Sequence, residues 1–376
     1  MHRRFAVVLL AAVALAAVFI LPARAAGKAT HVARAYGVRG LVKSSRSLGA
    51  VQKPSNVNVA WTSAATMPVA VEETGGGAAF GSFLWVPGGY ENFTGPSLND
   101  TVQLYKKTTN TWTNDTANPI PPVPGLVPGL ADAGSCFDPV GKKVHILDGV
   151  AYDSTGAGFI IAQHLVYDPL APSGSRISFL SFPVDSLGNV WFGQDQGCAF
   201  IGGKMYLFGG YGVVGGGSAA IQKITWVYDP GTDTWSDTGK MMQHPRLWQG
   251  YTSNTTNAFA AGGTDNIGTF APLSSTEKFT PATGWAATAN LPIALLAPGE
   301  GLVQTHLLVW GGGNSSFITQ NKTYHCALPS CSTFTTTAFN LPSAKWFSAF
   351  GSGASVFNAG GDTGSGVPVN TAEHLP

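Results

Sequence analysis

Met205-Tyr-Leu-Phe-Gly-Gly210, followed by Trp226-Val-Tyr228-Asp-Pro230 and then Trp235, is the stretch on which the fold turns. An apolar, aromatic-rich run of four residues has the length of a short buried strand. The glycine pair stops it where the backbone must turn sharply and a side chain would collide with a neighbour. A second apolar run ends in Asp-Pro, a turn signal, and a tryptophan opens the next.

The same succession recurs. Phe83-Leu-Trp-Val-Pro-Gly-Gly89 leads to Val102-Gln-Leu-Tyr105 and Trp112, and Val144-His-Ile-Leu-Asp-Gly149 leads to Leu165-Val-Tyr167-Asp-Pro169 with no tryptophan after it. Ala258-Phe-Ala-Ala-Gly-Gly263 leads to Phe279 and Trp285, Leu307-Leu-Val-Trp-Gly-Gly-Gly313 to Thr323-Tyr324, and Val356-Phe-Asn-Ala-Gly-Gly361 to Thr371-Ala-Glu373. With the pairs placed at 88, 148, 209, 262, 312 and 360, the spacings are 60, 61, 53, 50 and 48 residues. A period of about 50 residues with four short strands per unit resembles the kelch repeat. The resemblance, to the superfamily that includes the central domain of galactose oxidase, covers residues 56–376. It implies an all-β, six-bladed kelch β-propeller.

The two ends fit that expectation. The sixth repeat stops before its tryptophan strand, and Val57-Asn-Val-Ala-Trp61 followed by Met67-Pro68 supplies one at the other end. The N-terminal strand is therefore expected to complete the last blade and close the ring, protecting edges that an open array would expose. Composition agrees: 11% of residues are charged, against about 25% in typical domains. The 48 glycines and 24 prolines serve turns between sheets packed on both faces.

Residues 1–25 read as a secretory signal peptide. Arg3 and Arg4 precede the apolar run Phe5–Leu21, and Ala23-Arg24-Ala25 gives the small-x-small pattern; an uncleaved signal anchor is the rival reading. Residues 26–55 carry Lys28, Arg34, Arg39, Lys43, Arg46 and Lys53 and no acid. They read as a basic flexible segment or pro-segment, with contact to an anionic surface as the alternative. From Pro54 onward, 12 Lys+Arg face all 20 Asp+Glu. That acidic body excludes nucleic acid as the partner.

The chain is thus expected to be secreted or cell-surface, periplasmic or extracellular in a bacterium, and monomeric, with no membrane span after signal cleavage. In an oxidising compartment its four cysteines suggest disulfides. Cys326 and Cys331 flank a tight turn and are expected to pair. Cys136 and Cys198 either pair or remain two buried thiols. Asn92, Asn99, Asn114, Asn254, Asn314 and Asn321 are glycosylation acceptors if the host is a eukaryote.

In kelch propellers the segment leading into each blade's first strand and the loop after its second crowd one face, and the resemblance implies that this face binds. The lead-in segments contribute Glu72 and Glu73, Asp132, Gln194-Asp195-Gln196, Arg246 and Trp248, Glu300, and Lys345 and Trp346. The other loops add Tyr90, Tyr152, Asp153, Tyr211, Asp265 and Asp362. From these, Glu73, Asp132, Asp195, Arg246, Trp248, Glu300, Lys345 and Trp346 are the expected ligand-binding residues. Acids, amides and aromatics suit a glycan, whose hydroxyls need polar partners and whose C–H faces stack on rings; they equally suit an extended peptide. The expected function is an extracytoplasmic module presenting this face to a glycan or protein ligand.

Catalytic signatures are weak. No Gly-x-Ser-x-Gly elbow, phosphate loop or His-Glu-x-x-His occurs, no metal-ligand spacing is present, and no cofactor is expected. The alternative function is a small-sugar enzyme. Copper radical oxidases of this fold need two Tyr, two His and a Cys cross-linked to Tyr; His145, His164, His306 and His325 are available. Sialic-acid epimerases of this fold place an acid-plus-arginine pair after a glycine turn, whereas Gly262-Gly-Thr-Asp-Asn-Ile-Gly268 has neither Glu nor Arg.

Overall fold

The computed structural model describes residues 57, 59–92, 97–214 and 217–376. The expected signal peptide (1–25) and basic segment (26–55) lie outside the described residues. Among these, every regular element is a β-strand, and no helix is long and apolar enough to cross a membrane.

Among the described residues, six four-stranded antiparallel sheets follow one another along the chain, an arrangement consistent with a propeller. The first contains Ala78–Phe80, Phe83–Pro87, Val102–Lys106 and Thr111–Asn114; the second Gly134–Asp138, Lys143–Leu147, His164–Tyr167 and Ile177–Phe179. The third contains Gly197–Ile201, Lys204–Phe208, Thr225–Asp229 and Thr234–Asp237; the fourth Gly250–Ser253, Ala258–Ala261, Thr276–Thr280 and Gly284–Ala287. The fifth contains Gly299–Val303, His306–Trp310, Thr323–Ala327 and Phe334–Thr336; the sixth Ala349–Ser352, Val356–Ala359, Ala372–Leu375 and, from the other end of the chain, Thr62–Ser63. Thr62 pairs with His374 and Ser63 with Glu373. The N-terminal strand is shorter than the sequence suggests and starts just after Trp61.

The same hydrogen bond recurs from each sheet to the next. The amide of the second residue of each glycine pair donates to a carbonyl in the following lead-in segment: Gly89 to Leu130, Gly149 to Gly193, Gly210 to Arg246, Gly263 to Leu295, Gly312 to Lys345 and Gly361 to Val71, all at 2.7–2.8 Å. The last runs from the sixth sheet to the segment before the first. Both members of each pair have positive φ, and a Cβ at Gly88 would sit 2.1 Å from Leu130 O. Asp148 takes the first position of the second pair at φ 54°, a conformation Asp tolerates better than most residues. In the fifth sheet the pair is Gly311-Gly312, one residue earlier than the spacing placed it.

The aromatic plates fill the space between and within sheets. Tyr105 faces Trp112, Tyr228 faces Trp235 and Phe279 faces Trp285 across strands three and four, with ring centroids 5.1–5.2 Å apart. The tryptophans also reach back one sheet: Trp285 Nε1 donates to Thr225 Oγ1 (2.8 Å), and Trp61 Nε1 to Thr323 Oγ1 (3.1 Å). Thr225 and Thr323 each open a third strand, so Trp61 plays for the sixth sheet the part Trp285 plays for the fourth. Tyr324, read from sequence as the fifth repeat's plate, aligns instead with Trp226. The Tyr228 register position belongs to Cys326, whose disulfide to Cys331 stands where other sheets stack Tyr on Trp.

Cys136 and Cys198 are paired as well, joining the first strands of the second and third sheets (Cα–Cα 5.5 Å). Asn99 is not an open glycosylation acceptor in this fold. It is 2% exposed, and its Nδ2 donates to Gly88 O and Thr101 O, leaving no room for a glycan.

Candidate functional site: a ring of left-handed residues

In each lead-in segment the chain passes through a non-glycine residue in the left-handed region, two residues before the first strand in the second to sixth sheets and five before it in the first. These are Glu73 (φ 49°), Asp132 (55°), Asp195 (56°), Trp248 (58°), Ala297 (46°) and Phe347 (51°). Each such residue costs roughly 1–2 kcal/mol over its right-handed form and persists only where surroundings over-determine it. Here the surroundings are the residues themselves. The amide of Asp132 donates to Glu73 O (2.7 Å), Asp195 to Asp132 O (2.7 Å), Ala297 to Trp248 O (2.9 Å), Phe347 to Ala297 O (3.4 Å) and Glu73 to Phe347 O (3.1 Å). Between Asp195 and Trp248 the link is a side chain: Gln249 Nε2 donates to Asp195 O (3.2 Å). The series visits all six repeats and returns to its start.

Three neighbours in this series are acids. Glu73, Asp132 and Asp195 are 5%, 3% and 7% exposed, and Asp132 is hydrogen-bonded through its side chain to both others. Burial pushes all three carboxyls up. Asp195 reaches about 7, held back by hydrogen bonds from Gln194, Asp132 and Trp248. Glu73 and Asp132 rise well above the carboxylate range, with neighbouring acids adding to burial. Glu72, next in the chain, is raised to about 8 by burial and by Asp362. Burial first, and then the closeness of like charges, favours the protonated form of each of these groups.

A cavity of about 30 Å³ lies inside the ring, lined by Glu73, Asp195, Trp248, Gln249, Phe347 and Phe350 among others. It has room for about two water molecules. Asp132 Oδ1 and Gln249 Oε1 are buried without a partner, as are Glu72 Oε1 and both oxygens of Glu300. All are acceptors.

Tyr251 lines a second, larger cavity. Its hydroxyl donates to Gly75 O or Ser135 O (both 2.9 Å) and accepts from Ser135 N (3.2 Å), tying the fourth sheet to the first and second. Gly76 accommodates it: a Cβ there would lie 2.3 Å from the hydroxyl. Beyond Tyr251 and Phe350 a cavity of about 450 Å³ opens between the first strands, walled by Phe80, Phe137, Phe200, the Cys136–Cys198 pair and the polar residues Ser135, Thr252 and Asn254, with no charged side chain.

Of the eight residues expected at the mouth, the structure brings Glu73, Asp132, Asp195 and Trp248 together in the ring. The others are held elsewhere. Arg246, 0% exposed, donates to Glu277, Gly262 O and Ser275, and Lys345 pairs with Glu373 at 2.7 Å. The two cations stand at matching places in the fourth and sixth sheets, each tethering a lead-in segment to a third strand. Gln103 does the same in the first sheet, bonding both backbone groups of Val69. Trp346 packs behind the ring on Phe347 and Phe317, and Glu300 is fully buried beside Gly250. Gln249, Phe347, Ala297 and Tyr251 escaped sequence reading. Aligning Asp132-Ala-Gly134, Asp195-Gln-Gly197, Trp248-Gln-Gly250, Ala297-Pro-Gly299 and Phe347-Ser-Ala349 would have found the ring positions.

The histidines lie elsewhere. His145 and His164 share a 2.7 Å hydrogen bond between the second and third sheets, packed on Tyr228; burial lowers them to about 3 and about 4. All four cysteines are in disulfides, so none is free to cross-link a tyrosine as a radical copper site requires. Among the described residues no group of three or more His, Cys, Asp or Glu is arranged to hold a metal ion.

A kelch motif is recognised over residues 195–242, the third repeat from its ring aspartate to its end. The chain superposes on the solved structure titled "Structure of YjhT" with a TM-score of 0.62, covering 82% of this chain and 95% of that one at 14% identity, a likeness of fold alone. No curated protein matches in sequence. A kelch repeat suggests a β-propeller binding or protein-interaction module.

Proposed function

We propose that this protein is an extracytoplasmic binding module: a six-bladed kelch propeller, closed by its N-terminal strand, that presents the ring of lead-in residues to a glycan or protein ligand. Closure is supported by the two series of hydrogen bonds that pass through all six repeats, and by the pairing of Thr62–Ser63 with the sixth sheet. The two disulfides fit an oxidising compartment.

One observation carries the binding role. Glu73 and Asp195, both bonded to Asp132, line a small cavity with Gln249; Asp132 Oδ1 and Gln249 Oε1 are buried without a partner, and an unpaired buried polar group costs about 1–3 kcal/mol. A ligand bearing hydrogen-bond donors would recover that. The cavity takes a single functional group and not a sugar ring, which favours a protein ligand at this face. A glycan reading is favoured instead at the opposite cavity, whose volume falls in the usual range of about 300–1,000 Å³ for small-molecule sites and whose lining mixes phenyl rings with hydroxyls and an amide.

A glycan array probed with the purified protein, with Asp132→Asn and with Phe350→Ala, tests both. Binding lost only in Phe350→Ala places a glycan in the larger cavity. Binding lost in Asp132→Asn as well places it at the ring. An array profile blank for the purified protein leaves a protein ligand as the reading to pursue, and ring variants that leave every detected ligand unaffected refute the ring's role.

A further inference from the structure

The six ring positions divide into two arcs. Glu73, Asp132 and Asp195 occupy three consecutive repeats, and Trp248, Ala297 and Phe347 the next three. The cavity is lined by Glu73 and Asp195 from the first arc, by Trp248, Ala297 and Phe347 from the second, and by Phe350. Its polar side chains are those of Glu73, Asp195, Gln249 and Ser348, and Trp248 spends its side-chain hydrogen bond on Asp195. Gln249, which lines the cavity and is 5% exposed, spends Nε2 on Asp195 O and leaves Oε1 without a partner. Ser348, also on the wall, donates its hydroxyl to Gly360 O. Asp132 Oδ1, between the two lining acids, is unpartnered too.

Elimination narrows the occupant. Carboxyl oxygens repel an anion. A volume of about 30 Å³ excludes a sugar ring and the wide planar fork of a guanidinium. A neutral hydroxyl brings one donor to several acceptors, whereas an ammonium brings three on an atom of water size. Aromatic faces attract a cation and pack against its methylene stem.

We propose that the ring is a receptor for one primary alkylammonium group, which donates to Glu73, Asp195 and Gln249 while its stem lies along Trp248 and Phe347. This rests on the binding-module reading and specifies the ligand's chemistry. The group comes either from a lysine side chain of a protein ligand or from a small free amine.

Calorimetric titration with Nα-acetyl-lysine methylamide, its Nε-acetylated counterpart and n-butylamine tests the assignment. The free ammonium compounds bind, and Nε-acetylation weakens binding by about tenfold or more, the worth of a charge-assisted hydrogen bond. Asp195→Asn lowers affinity by a similar factor. Asn tolerates the left-handed conformation, so this variant keeps the fold, and Asp132→Asn serves as the second. Tighter binding of the lysine compound than of butylamine points to a protein partner, and equal binding to a free amine. No saturation by either ammonium at millimolar concentration, or equal affinity for the acetylated compound, overturns the ammonium assignment. The binding-module reading is judged separately, by whether the same ring variants alter the array profile.

Discussion

Replacing Trp61 with alanine tests whether the chain's two ends meet as structure or merely lie near one another. Trp61 is 7% exposed, sits edge-on to Trp310 at 5.2 Å and donates its indole N–H to Thr323. Truncating a buried tryptophan costs about 3–5 kcal/mol, set against a total stability of about 5–15 kcal/mol for a typical domain. Trp285→Ala is the internal standard. It removes the same contact from the fourth sheet, where the indole bonds Thr225, at a point that needs no chain terminus. Urea unfolding followed by fluorescence should show both variants losing stability by similar amounts, and a chain starting at Ala65 should lose at least as much as Trp61→Ala. If the N-terminal strand were a loose appendage, Trp61→Ala would fall within about 0.5 kcal/mol of the parent, as surface changes do. A transition midpoint unchanged in Trp61→Ala but lowered in Trp285→Ala would refute closure.

Three further outcomes are expected. The folded-state pKa values of Glu72, Glu73, Asp132 and Asp195 are raised, so the native state holds protons that the unfolded chain releases. Their contribution is fully present below pH 4 and is lost as pH rises through about 7 and 8, with a slope of about 1.4 kcal/mol per pH unit for each proton; Asp132→Asn should therefore unfold later than the parent at pH 8, and thermal melts from pH 5 to 9 check both points. Replacing Cys136 and Cys198 by alanine should cost about 4 kcal/mol and replacing Cys326 and Cys331 about 2 kcal/mol, because sequence separations of 62 and 5 residues set the loop entropy, a difference read from urea midpoints. Arg246→Ala should destabilise by about 3–5 kcal/mol by stranding Glu277 without its partner, yet leave ammonium affinity within twofold under conditions where it is folded, as calorimetry can show.

Much of the fold could be read along the chain because its determinants are local. A glycine pair at the end of an apolar run announces a turn no other residue makes easily, and six copies at a near-constant period announce sheets of one kind. The registers that differ are those where another solution fills the same space. Cys326 takes the place of a tyrosine because a disulfide to Cys331 can occupy an aromatic pair's position, and no pattern of hydrophobicity distinguishes the two.

The binding face was legible in part. Sequence placed acids and aromatics in the lead-in segments, but it could not tell which point inward, because that depends on one residue per repeat adopting a left-handed backbone that only the neighbouring repeats enforce. Arg246 and Lys345 look like ligand-binding cations in the sequence. In three dimensions each lies opposite a glutamate on its own sheet's third strand, and a buried charge keeps such a partner before it serves a ligand. The sequence by itself determined the repeat, the strands, the turns and the residue types offered at one face. Only the tertiary structure decided the pairing of Cys136 with Cys198, the division of the ring into an acidic and an apolar arc, and the tie that Tyr251 makes from the fourth sheet to Gly75 and Ser135. All three join residues from different repeats, and sheet packing, not chain proximity, brings those residues within a few ångströms.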